Sequence, residues 1–189
     1  IYFCDWNHDG YMDFVLTDIA LPRGLILYQG VAGGKFEDVT TSSGPDKPQD
    51  GVGAIVDLDG DGWEDIVFVN GEVYQNIQGK RFKNVTTQTN LGKVADLPDV
   101  GASSNIAVAD YDRDGNLDLY IFRVDSNPTK GSWIDGQIGS RAANQLLRNV
   151  GNWKFEDVTE VTQTDGGRRS TFSSAWLDAD NNGWPDIYV

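Results

Sequence analysis

An all-β fold built from repeated, four-stranded antiparallel units is expected from three observations. A nine-residue acidic phrase recurs four times in register: DWNHDGYMD from Asp5, DLDGDGWED from Asp57, DYDRDGNLD from Asp110 and DADNNGWPD from Asp178. Short apolar or alternating runs of strand length flank these phrases, and no segment carries the 3.6-residue apolar period of a helix. Finally, 22 glycines and an aromatic content of 11% suit many short strands joined by tight turns.

The phrases start 52, 53 and 68 residues apart, the mark of a repeat architecture. The last interval is stretched by an insertion over residues 123–143, whose Pro128, Gly131, Gly136 and Gly139 read as a loop. Each unit opens on a strand: VGAIV before Asp57, NIAVA before Asp110 and FSSAWL before Asp178. The first phrase lacks most of this run, so the first unit is expected to miss its opening strand. A second strand follows each phrase, as FVLTD, IVFVN, LYIFR or IYV. The third and fourth strands form a hairpin. Tyr28, Tyr74 and Leu147 each stand eight residues before a phenylalanine, Phe36, Phe82 and Phe155, across a glycine-containing gap. These phenylalanines open the phrases FEDVT, FKNVT and FEDVT. Four short strands in about 45–55 residues is the size of one β-propeller blade. The chain therefore reads as one propeller segment with repeats over 1–45 (incomplete), 46–95, 96–165 and 166–189 (incomplete). Both ends fall inside a repeat, so the segment is expected to come from a longer protein, and helix is expected almost nowhere outside the insertion.

The 189 residues are 39% hydrophobic, a globular composition. A net charge of −14 argues against nucleic acid and against an anionic membrane surface, both of which need a basic face. No apolar run approaches the roughly 18 residues that cross a bilayer. The single cysteine, Cys4, allows no disulfide within the chain. It aligns with Val56, Ala109 and Leu177, which makes it an apolar packing position.

The acidic charge is concentrated in the phrases. Positions 1, 3, 5 and 9 are Asp5, Asn7, Asp9 and Asp13; Asp57, Asp59, Asp61 and Asp65; Asp110, Asp112, Asp114 and Asp118; Asp178, Asp180, Asn182 and Asp186. Position 6 is always glycine, which permits a sharp turn. Position 7 adds a main-chain carbonyl, from Tyr11, Trp63, Asn116 or Trp184. Hard oxygen ligands without His or Cys select Ca²⁺, up to four ions here, over zinc or copper, and over the stricter octahedral Mg²⁺. The fourteen carboxylates equal in number the formal net charge of −14. Asn7 and Asn182 each remove a charge, so their loops are expected to bind more weakly than the two with four carboxylates. An EF-hand needs a glutamate at position 12; Leu16, Phe68, Ile121 and Val189 stand there instead.

The pattern DxDxDGxxD inside a blade-length repeat with FxDVT resembles the FG-GAP/VCBS repeat family. NQLLRNVGNWKFEDVTE and ADYDRDGNLDLYIF look most like its cartilage acidic protein / ASPIC-UnbV type. The resemblance covers nearly the whole chain apart from the insertion. It implies a β-propeller, usually seven-bladed, with Ca²⁺ held in hairpin loops by the residues just named. The Phe-Gly and Gly-Ala-Pro phrases of the integrin-type repeat are absent, which points away from integrin-like ligand recognition.

The expected function is a calcium-stabilised, non-catalytic binding or scaffold module for a protein or glycan partner, or for copies of itself. Its expected place is secreted or at the cell surface, or periplasmic in a bacterium. Extracellular modules bind Ca²⁺ at about 10⁻⁴ to 10⁻³ M. With one histidine, His8, at the variable position 4 of its loop, no nucleophile–base constellation presents itself. Two alternatives carry specific features. A polysaccharide-degrading enzyme would use the insertion, with Trp133 and Arg141. A self-assembling surface or filament protein would exchange strands through incomplete blades. Asn84 begins the glycosylation sequon Asn84-Val85-Thr86, although it sits in phase with Asp38 and Asp157. Arg168 and Arg169 form a basic pair.

Overall fold

The computed structural model describes residues 1–17, 25–45, 51–95, 103–124, 143–167 and 171–189. The insertion's Trp133 and Arg141, and the pair Arg168 and Arg169, lie outside them. The described residues form two compact units, Ile1–Asn90 and Leu91–Val189. Among them no helix is long and apolar enough to cross a membrane.

The first unit holds two four-stranded antiparallel meanders. One is β1 (Tyr2–Cys4), β2 (Asp13–Thr17), β3 (Leu25–Val31) and β4 (Lys35–Asp38); the other is β5 (Val52–Val56), β6 (Asp65–Phe68), β7 (Val73–Asn76) and β8 (Phe82–Asn84). These are propeller-type blades. The opening strand expected to be missing is present. Three residues are enough to pair Tyr2 with Val15 and Cys4 with Asp13. In the second meander the β5–β6 register slips between Val52 and Ala54. The intervening Gly53 marks a bulge, which a residue without a side chain accommodates.

The apolar positions read from the sequence face one core between the two sheets. Trp6, Val15, Leu25, Leu27, Val52, Ile66, Phe68, Tyr74 and Phe82 are buried together, with Cys4 half-buried against them. Burial pushes the Cys4 thiol up to about 12, with the carboxylates of Asp13 and Glu64 adding to the shift. This is a packing cysteine and not a reactive one. Specific contacts fix the sheets to each other. The Tyr2 hydroxyl donates to the Val52 carbonyl at 2.7 Å, Asn76 Nδ2 donates to the Trp6 carbonyl at 2.8 Å, and the Trp6 and Phe82 rings lie 5.5 Å apart.

The second unit starts with a single helical turn, α1 (Leu91–Val94). A third meander follows: β9 (Ser103–Ala109), β10 (Asp118–Val124), β11 (Gln145–Asn149) and β12 (Phe155–Asp157). A second helical turn, α2 (Thr159–Thr162), leads to the hairpin β13 (Ala175–Leu177) and β14 (Asp186–Tyr188). Both turns lie outside the insertion, where almost no helix is expected; each is only four residues long. Tyr120, Phe122 and Leu146 are buried here, with Trp176 and Ile187 of the hairpin packed on them.

Repetition of FxDVT has a local cause. Asp38, Asn84 and Asp157 each accept the backbone N–H of the threonine two residues on, at 2.9–3.0 Å. Those threonines, Thr40, Thr86 and Thr159, accept the N–H of Leu27, Val73 and Leu146 through Oγ1, again at 2.9–3.0 Å. The turn after each fourth strand is thereby tied to the start of the third, and a buried amide finds its partner.

Candidate metal centres

All four acidic phrases are loops joining the first and second strands of a sheet, and one hydrogen-bond pattern builds them all. The amide of position 5 donates to Oδ1 of position 1: Asp9 to Asp5, Asp61 to Asp57, Asp114 to Asp110 and Asn182 to Asp178, at 3.0–3.1 Å. The glycine amide at position 6 donates to the other oxygen of the same aspartate at 2.8–3.0 Å. Position 5 in turn accepts the amide of position 7, from Tyr11, Trp63, Asn116 and Trp184, at 2.7–3.0 Å.

This turn needs two left-handed residues. Gly10, Gly62, Gly115 and Gly183 have φ of 86–93°, beyond the range that a side chain tolerates well. At position 4, His8, Gly60, Arg113 and Asn181 also have positive φ, of 56–76°. Sequence reasoning treated position 4 as merely variable. Glycine and asparagine in two of the four copies were the available signal for a left-handed backbone.

Position 9 opens the second strand. Asp13, Asp65 and Asp118 are fully buried, at 0% exposure. Each receives the amide of a third-strand residue, Gly30, Asn76 or Asn149, at 2.7–2.8 Å. Asp65 and Asp118 also accept the amide of position 2, from Leu58 and Tyr111, and Asp186 does so from Ala179. Burial raises all three buried carboxyls, against the pull of these amides: Asp13 and Asp118 to about 6 and Asp65 to about 8. Neighbouring loop carboxylates push the same way.

Among the described residues, three of the expected carboxylates draw close in each of the second, third and fourth loops, while Asp65, Asp114 and the first loop's Asp5, Asp9 and Asp13 join no such group. Oxygens of Asp57, Asp59 and Asp61 lie within 4.8 Å of one another, as do those of Asp110, Asp112 and Asp118, and of Asp178, Asp180 and Asp186. In the first loop, Asn7 Nδ2 donates to Asp9 Oδ2 at 3.0 Å. Asp13 Oδ2 is buried there without a hydrogen-bond partner. An all-oxygen, strongly anionic donor set with an orphaned buried carboxylate oxygen fits a hard divalent cation. Such a cation would supply charge neutralisation, and Asp5, Asn7, Asp9 and Asp13 would hold it with their counterparts in the other loops.

Contacts at the loops' outer ends went unnoticed in the sequence. Within the first unit, His8 stacks on Trp63 of the next loop at 4.3 Å and places Nε2 3.1 Å from Glu64. Within the second, the Arg113 guanidinium lies 4.6 Å over the Trp184 ring. In both cases position 4 of one loop covers position 7 of the following one. The candidate glycosylation residue, Asn84, is exposed on β8. Among acidic residues outside the ligand set, Glu37 and Glu156 are exposed.

A family model of FG-GAP-like repeats matches residues 5–68 and, again, residues 57–121. No curated protein matches the chain. Among solved structures, the chain is similar to an Agrocybe aegerita lectin described for its specific recognition of non-reducing terminal N-acetylglucosamine. The TM-score is 0.57 at 19% identity. The likeness covers 98% of this chain and 45% of the lectin's, so the chain spans less than half the length of that relative. At this identity the likeness concerns the fold.

Proposed function

The chain belongs to the FG-GAP-like repeat family, and on that premise we propose that it is a calcium-stabilised, non-catalytic binding module, secreted or displayed at a cell surface (periplasmic in a bacterium). Within the family we propose the cartilage acidic protein / ASPIC-UnbV type as its branch, a reading supported by the phrases NQLLRNVGNWKFEDVTE and ADYDRDGNLDLYIF. The carrying observation is the four-fold identity of the loop turn, together with the three carboxylates that draw close in each of the second, third and fourth copies. Clustered like charges are repelled without a counter-ion, and Ca²⁺ removes that repulsion while tying the first strand of each sheet to the second.

The partner we favour is a glycan or a protein presenting hydroxyl and amide groups. Exposed aromatic side chains at position 7, Tyr11 and Trp184, support this reading; so does the lectin likeness, as a fold that serves that purpose elsewhere.

The test is thermal unfolding in millimolar Ca²⁺ against chelator. Each site filled to ten times its Kd adds about 1.4 kcal/mol. Two such sites should then raise Tm by about 5–10 °C, and four by about 10–20 °C. Identical transitions in the two buffers would remove the structural role of calcium.

A further inference from the structure

The third loop differs from the first two in what its third strand presents to it. Tyr28, Tyr74 and Leu147 pair opposite Phe14, Ile66 and Leu119, the residue after position 9 in each loop. The next residue along, Gln29, Gln75 or Arg148, therefore reaches back over the loop. Gln29 Nε2 donates to Asp9 Oδ2 at 3.1 Å and Gln75 Nε2 to Asp59 Oδ2 at 2.8 Å. Arg148 places Nε 2.6 Å from Asp112 Oδ2 and donates from Nη2 to Asp114 Oδ2 at 3.1 Å. A neutral amide in two copies is thus a fixed cation in the third, held by two of that loop's four carboxylates.

We propose that Arg148 is a resident counter-cation of the third loop, one that organises it without metal and must be displaced from Asp112 and Asp114 as calcium enters. The inference rests on the calcium reading above. Its consequence is a change of rank. By carboxylate count the second and third loops form one class, whereas the guanidinium cancels one charge of the third and occupies oxygens that the metal needs. The second loop is then the tight site, and the third is a weaker one that stays folded in low calcium. The carboxylate–guanidinium contact is about a third exposed on the arginine side, so its effect is modest and salt-dependent.

The whole 189-residue chain is titrated with CaCl₂ by calorimetry, as wild type, Arg148→Gln and Gln75→Arg. R148Q reproduces the side chain of the first two loops and should tighten one site about three- to five-fold. Q75R should loosen one site by a similar factor. R148Q should also lower Tm in chelator while enlarging the rise produced by calcium. In a chain labelled with ¹⁵N-arginine, the Nε–H resonance absent from R148Q should move as calcium is added. An isotherm unchanged by R148Q overturns the proposal. So does an Arg148 resonance that stays put at saturation, or a Tm loss equal with and without calcium. Absence of any calcium binding by the wild type would instead overturn the calcium reading, and this proposal with it.

Discussion

At the residue scale the loops separate two kinds of left-handed position. Gly62 has φ of 89° and open space where a Cβ would stand, so a substitution there is opposed by the backbone and not by a clash. Gly60, at φ 76°, also has open space, but its counterparts His8, Arg113 and Asn181 carry side chains at 56–61°. Gly62→Ala should therefore cost about 1–2 kcal/mol and Gly60→Ala less than about 1 kcal/mol. Urea unfolding in saturating calcium separates the two, and equal midpoints would contradict the distinction. Invariant glycine at position 6 was legible from the four aligned phrases. The strain at position 4 was not, because a residue that varies between His, Gly, Arg and Asn gives no consensus although every copy adopts one conformation.

At the element scale, the threonine of FxDVT is the link between a fourth strand and the third. Thr159 is nearly buried, and its Oγ1 receives the amide of the buried Leu146. Thr159→Val keeps the shape and leaves that amide without its acceptor, a loss of about 1–3 kcal/mol. Thr159→Ser should recover most of it, and a Val variant as stable as wild type would sink the argument. The same device explains why Asn84 stands where the other copies have Asp. Its Oδ1 accepts the Thr86 amide, so the position is satisfied by either side chain before any modification is considered. Strand positions and hairpins were legible from periodicity and the fixed spacing of eight. The two single-turn helices were not, since four residues are too few to carry a helical period.

For the whole molecule, electrostatics set the conditions under which metal is needed. Asp13 and Asp118 titrate near 6 and Asp65 near 8, all raised from 3.8 chiefly by burial. A carboxyl raised in the folded state holds a proton that the unfolded chain has already released. Its stabilising contribution is thus complete below about 4 and is lost as pH rises through about 6, and for Asp65 through about 8. The metal-free chain should lose thermal stability steadily from pH 5 to pH 8.5, and the increment from calcium should grow over the same range as the metal takes the proton's place. Calorimetric scans at three pH values, with calcium and with chelator, measure both. A chelated chain that grows more stable toward pH 8.5 would refute this account.

Most strands, the turns and the oxygen-bearing loops are legible in the amino-acid sequence, because each depends on near neighbours along the chain: Asp at alternate positions, Gly at the sixth, Thr two beyond an Asx. Tertiary structure alone decided which groups meet those loops from outside. Arg148 stands 34 residues from Asp114 and reaches it only through the register of β10 with β11, and His8 meets Trp63 only when two sheets share one core. Local spacing fixes where an oxygen points; the charge it finally faces is set by strand pairing and sheet packing, which bring together residues that no local pattern relates.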